Sequence, residues 1–165
     1  MRAFSLIETI IYLALFGILM GGAVVSAANL FESQSRSHTT SVVEDEGNFL
    51  IGKINWALYG AEAVTSPPLG SSGTTLTITK WDTSAGNPLV VNLDGTNITL
   101  SRSGGAAAVL NNSNVAVSNL SFQHIAGSGD GVQPEGLKTS FTLTALTPNG
   151  MVVSRSFTST NYVRK

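Results

Sequence analysis

Two hydrophobic periodicities divide this chain. From Phe4 to Ala28, apolar and small residues follow one another with Glu8 as the one charged position. As an α-helix that run rises roughly 37 Å, enough to cross a hydrocarbon core of ~30 Å with some tilt. The chain then turns polar. Ser33, Ser35, Ser37, Thr39, Thr40 and Ser41 are middling or poor helix formers, which predicts a bend or fraying there. From Val42 to Val64 the helical pattern resumes: Val43, Glu46, Leu50, Ile54 and Leu58 fall three and four apart, and Ile51 and Ala57 widen the stripe. Gly47, Gly52 and Gly60 each weaken a helix by about 1 kcal/mol relative to alanine, so packing must hold it. Ser66-Pro67-Pro68 and the glycine- and serine-rich Gly70 to Gly73 stop it. The expectation is one long helix over 4 to about 64.

From Thr74 the period becomes two. Leu76 and Ile78 alternate with threonines, and Leu89, Val91 and Leu93 alternate with Val90 and Asn92. Asp94-Gly95-Thr96-Asn97 offers a hairpin turn into Ile98 and Leu100. Val115 and Val117 lie on one parity, Leu120 and Phe122 on the other, which predicts a bulge near Ser118 or Asn119. Phe141, Leu143 and Ala145 run up to Thr147-Pro148-Asn149-Gly150, a type I turn pattern, and Val153, Arg155 and Phe157 run back. Five or six strands follow from this reading. The fold class is α+β: a long N-terminal helix, its first half membrane-spanning and its second half amphipathic, packed on a C-terminal antiparallel β-sheet. The expected boundaries are a leader at 1–3, the span at 4–28, its amphipathic continuation at 29–64 and a β-rich domain at 65–165.

Composition narrows the function classes. A chain of 165 residues has room for a span and one modest domain. Nine basic and ten acidic residues exert no global pull toward nucleic acid. With no cysteine there is no disulfide, thiol chemistry or cysteine-ligated zinc. Within the span, Gly17 and Gly21 form a G-x-x-x-G spacing that lets two apolar helices approach closely. A secretory signal would need a basic segment before a shorter apolar core, and only Met1, Arg2 and Ala3 precede this run, although Ser26-Ala27-Ala28 supplies small residues after it. Arg2 on the short side orients the amino end toward the cytoplasm.

Glu8 requires its own account. An ionised carboxylate inside a bilayer costs on the order of 2.5 to 3.5 kcal/mol, unless it reaches the interface from the first helical turn and meets the amino-terminal dipole. The residues Phe4-Ser5-Leu6-Ile7-Glu8-Thr9, with an unbroken apolar run behind them, resemble the amino terminus of type IV pilins and type II secretion pseudopilins. The resemblance implies cleavage by a prepilin peptidase between Ala3 and Phe4, methylation of the new amine on Phe4, and attraction between the Glu8 carboxylate and the Phe4 amine of a neighbouring subunit. It departs from the family at Ala3, where glycine is usual, and in its three-residue leader. The absence of cysteine leans toward a minor pilin or pseudopilin, because many major pilins carry a C-terminal disulfide loop.

The search for chemistry returns little. His38 and His124 stand in no metal-ligand spacing, and no nucleophile elbow, phosphate loop or paired-carboxylate motif occurs. Gly127 to Gly131 is a glycine-rich loop with Pro134 soon after it and no helix. Asp130 and Glu135, or Asp94 in its turn, are weak calcium candidates, two carboxylates being few for an ion that takes six to eight oxygens. The glycosylation patterns at Asn97 and Asn119 are read as chance. Trp56 and Trp81 are expected to pack in the core or at its rim. The sequence therefore predicts a structural subunit that is not an enzyme and has no cofactor. Its partners are other pilin or pseudopilin subunits, the prepilin peptidase, an inner-membrane assembly platform and, before assembly, lipid; nucleic acid is not expected. Its place is the inner membrane as a single-pass protein with an exported C-terminal domain, then a periplasmic or cell-surface filament. The alternative is an uncleaved, membrane-tethered β-rich binding domain that does not polymerise.

Overall fold

A computed structural model describes residues 6–127 and 134–162. Helix α1 spans Leu6–Leu58 and is helical through the serine- and threonine-rich stretch 33–41, so the expected fraying does not occur. The chain divides into two units between His38 and Thr39. In the first, every described residue from Leu6 to Gln34 except Glu8 is exposed. The second holds the rest of α1 and the strands.

The helix ends six residues earlier than the hydrophobic pattern suggests. Gly60 adopts φ 72°, a left-handed position that stops a helix, and β1 (Ala61–Ser66) follows at once. The expected helical segment 59–64 is therefore a turn and a strand. A glycine just past a helix is a stop signal, and here it outweighs the apolar residues beyond it.

Two antiparallel sheets are present where one was expected. The first joins β1, β3 (Leu76–Lys80), β4 (Leu89–Asp94), β5 (Asn97–Arg102) and β6 (Ala108–Val109) in that order. The second joins β2 (Ser72–Gly73), β7 (Ala116–Ile125), β8 (Gly136–Leu146) and β9 (Val152–Tyr162). Nine strands thus occur among the described residues, the additions to the sequence reading being β1 and the two-residue β2 and β6.

Both hairpin turns form where turn chemistry placed them. Asp94 pairs with Asn97 across Gly95-Thr96, with Gly95 at φ 59°. The Gly150 N–H donates to the Thr147 carbonyl at 2.8 Å, and the Met151 N–H donates to Thr147 Oγ1 at 3.0 Å. The bulge falls between Ser118 and Ser121, with Asn119 at φ 54°. It lets Val117 and Leu120, which differ in parity, both be buried.

One core collects these faces. Val43, Leu50, Ile54 and Ala57 of α1 are buried with Leu76, Ile78, Leu89 and Val91 of the first sheet and with Phe122, Leu137, Phe141 and Leu143 of the second. Burying a side chain of this size stabilises by ~1.5–3 kcal/mol, enough to offset the glycines in the helix. Glu46, the charged member of the stripe, accepts the Asn112 N–H at 2.8 Å. Asn111, buried between strands, accepts from the Ile98 N–H and donates to the Val115 carbonyl, which fixes the chain between β6 and β7.

Candidate functional site

The first candidate is the amino-terminal half of α1. It is long and apolar enough to span a membrane, and none of its apolar window is buried in the structure. An exposed apolar surface of that length demands cover from lipid or from other helices. Glu8 lies in the first turn and is half-buried among exposed neighbours. Ala3 and Phe4 lie outside the described residues. At Gly17, Gly21 and Gly22 an added Cβ would meet nothing within 4 Å, so each leaves backbone open to approach.

Of the calcium candidates, Glu135 and Asp94 are among the described residues. Glu135 Oε1 lies 2.7 Å from His124 Nε2, Asp94 stands in the β4–β5 turn, and Asp130 lies outside the described residues. Among the described residues no three His, Asp or Glu side chains come together as a metal site. His124 is buried, and its Nδ1 faces the Pro67 carbonyl at 2.8 Å. Both ring nitrogens thus face acceptors, while a neutral imidazole has a single N–H to give. The arrangement ties the end of β7 to the start of β8 and to the segment after β1.

A third feature has no counterpart in the sequence reading. Phe49, Gly52, Lys53 and Trp56 of α1, with Leu100 and Arg102 of β5, line a groove of about 620 Å³. Lys80 Nζ donates to the Trp56 carbonyl at 2.9 Å and sits 4.2 Å from the centre of its ring. Arg102 lies 5.1 Å from the same ring, and Lys53 5.3 Å from that of Phe49. Lys80 is only 7% exposed; burial holds its pKa below the ordinary lysine value, the nearby Arg102 charge adds to this, and Asp82 opposes it.

The last turn of α1 contains no basic residue, so β3 supplies across the fold the cation that a helix C-terminus favours. Trp56 is a rim residue, 43% exposed, as expected, whereas Trp81 at 69% is neither core nor rim. Lysines and arginine at 53, 80 and 102 show no helical or strand period, so only the fold could bring them to one aromatic floor.

Compared with known proteins, the chain matches no family model, no curated protein and no solved structure. Its function must be argued from its own residues.

Proposed function

We propose that this chain is a structural subunit of a filament, a minor pilin or pseudopilin of a type IV pilus or type II secretion pseudopilus. The observation that carries the reading is Glu8 in the first turn of a helix whose membrane-length apolar window is wholly unburied. A plain anchor is better off without that carboxylate, because removing it lowers the cost of insertion. A helix that must leave lipid and pack against copies of itself gains from it. In a low-dielectric bundle the carboxylate and a neighbour's terminal amine attract strongly, and each relieves the other's desolvation.

On this reading a prepilin peptidase cuts between Ala3 and Phe4, and the Phe4 amine is methylated. The inner membrane holds the subunit by one span until an assembly platform extracts it into a periplasmic or cell-surface filament. Gly17 and Gly21, open on the helix surface, admit neighbouring helices closely. The role is structural, with no catalysis and no cofactor.

The test is intact-mass analysis and amino-terminal sequencing of the protein from membranes and from sheared filaments. A chain beginning at methylated Phe4 and present in the filament fraction is expected. A mature chain still beginning at Met1 and confined to the membrane would replace this reading with a tethered β-rich domain.

A further inference from the structure

The groove between α1 and β5 combines apolar walls with the positive charges of Lys53 and Arg102. Neither Lys53 nor Arg102 takes part in the ion pairs His124–Glu135 and Arg155–Glu44, while the buried Lys80 has the Asp82 charge nearby. Exposed Phe49 and Trp56 beside arginine and lysine have the composition of an interface centre: aromatic anchors with cations that seek an acid. Gly52 leaves the floor open, since a Cβ there would meet nothing within 4 Å. A complementary ligand presents a large apolar side chain next to a carboxylate.

The chain itself carries such a segment. Among its described acidic residues, Glu8, Glu32 and Asp82 directly follow an exposed large apolar residue. Glu8 is half-buried within the membrane-length run. Asp82 is engaged as a cap, accepting from the Ser84 N–H at 2.9 Å and its hydroxyl at 2.6 Å. Glu32 remains, preceded by Leu30 and Phe31, which are 71% and 70% exposed.

Resting on the filament reading, the geometry points to a subunit contact in which Leu30-Phe31-Glu32 of one copy occupies the groove of another. The Phe31 ring enters between Phe49 and Trp56, and the Glu32 carboxylate meets Lys53 and Arg102. Segment and groove are different surfaces, so the contact is head-to-tail. Each copy that fills a groove still offers its own, and the contact propagates unless rotation closes a ring. Apolar burial supplies the attraction, and the charges set the register and exclude neutral segments.

The test uses full-length chains, which contain no cysteine of their own. Ser33→Cys, beside the docking segment, and Gly52→Cys are placed on separate, differently tagged copies made in one cell, and a short thiol cross-linker is applied to membranes and to sheared filaments. A mixed product is expected in the filament fraction and neither homodimer in comparable amount. Lys53→Glu should lower that product about fivefold, the effect of a partly exposed charge pair, and adding Glu32→Lys should restore it. Arg102→Glu, which acts from the sheet, should repeat the loss. Filaments recovered without the mixed product, or a product indifferent to both charge reversals, would overturn this contact and leave the filament reading standing. No copy in the filament fraction and no product anywhere would overturn both.

Discussion

Gly47 and Phe157 meet so closely that a methyl group on Gly47 would overlap the far edge of the Phe157 ring. The ring in turn stacks on Phe141, with centroids 5.5 Å apart. A residue that weakens the helix locally is thus what allows the helix and β9 to approach.

Gly47→Ala should therefore destabilise the fold although alanine is the better helix former. Overpacking of this kind costs ~1–3 kcal/mol, against a propensity gain of about 1. Phe157→Leu in the same chain should recover part of the loss. Gly52→Ala, with open space around it, should instead stabilise. Thermal unfolding of the full chain in detergent measures all three, and a stabilising Gly47→Ala would show that the ring is free to move.

Glu8→Gln should leave membrane insertion normal or easier and abolish assembly. The substitution keeps size and hydrogen bonding but removes the charge, which strands the neighbour's amine at a cost of ~3 to 5 kcal/mol when buried. The comparison is recovery of the subunit with sheared filaments at matched membrane abundance. Undiminished recovery would confine Glu8 to a role at the helix start.

Lys80 makes stability depend on pH on the alkaline side. Its folded-state pKa is lowered by burial, then by Arg102, with Asp82 opposing. Between that value and the ordinary lysine value the unfolded chain binds more protons than the folded one, so stability rises with pH through this window. The cost of holding the charged form is fully present below it. Lys80→Met should remove this slope, read as the difference in melting temperature between the two chains across that window. Equal slopes would mean that Lys80 does not titrate there.

His124→Phe should cost ~1–3 kcal/mol despite its similar shape, because it removes the ring-nitrogen hydrogen bonds to the Pro67 carbonyl and the Glu135 carboxyl group. Amide hydrogen exchange should quicken at Gly70 and His124, whose backbone groups bridge the same two segments. Unchanged exchange and stability would mean water replaces the ring at no cost.

A fragment from Thr39 to Lys165 should fold alone and be soluble, since it contains the core and omits the exposed apolar run. Circular dichroism should report a strand-rich spectrum with a cooperative melt. A disordered spectrum would place residues before Thr39 among those the core requires.

Several features of this protein are written in short stretches of sequence because their causes are local. The membrane-length run is a matter of consecutive residues. The strands at Leu76 and Leu89, the turns at Gly95 and Gly150 and the bulge at Asn119 follow from a period of two and from turn chemistry within a few positions. The helix stop at Gly60 was equally local, but the apolar residues on both sides of it also suited a longer helix, and only the pairing of Ala61–Ser66 with β3 decided against that. The groove, the His124 arrangement and the Gly47–Phe157 contact have no local cause. Trp56 meets Arg102, Pro67 meets His124, and Gly47 meets Phe157 across dozens of residues, where one chain's sequence records each partner but not the pairing. Closing the two sheets over one face of α1 brings them together, because every apolar face must be buried in the same core at once.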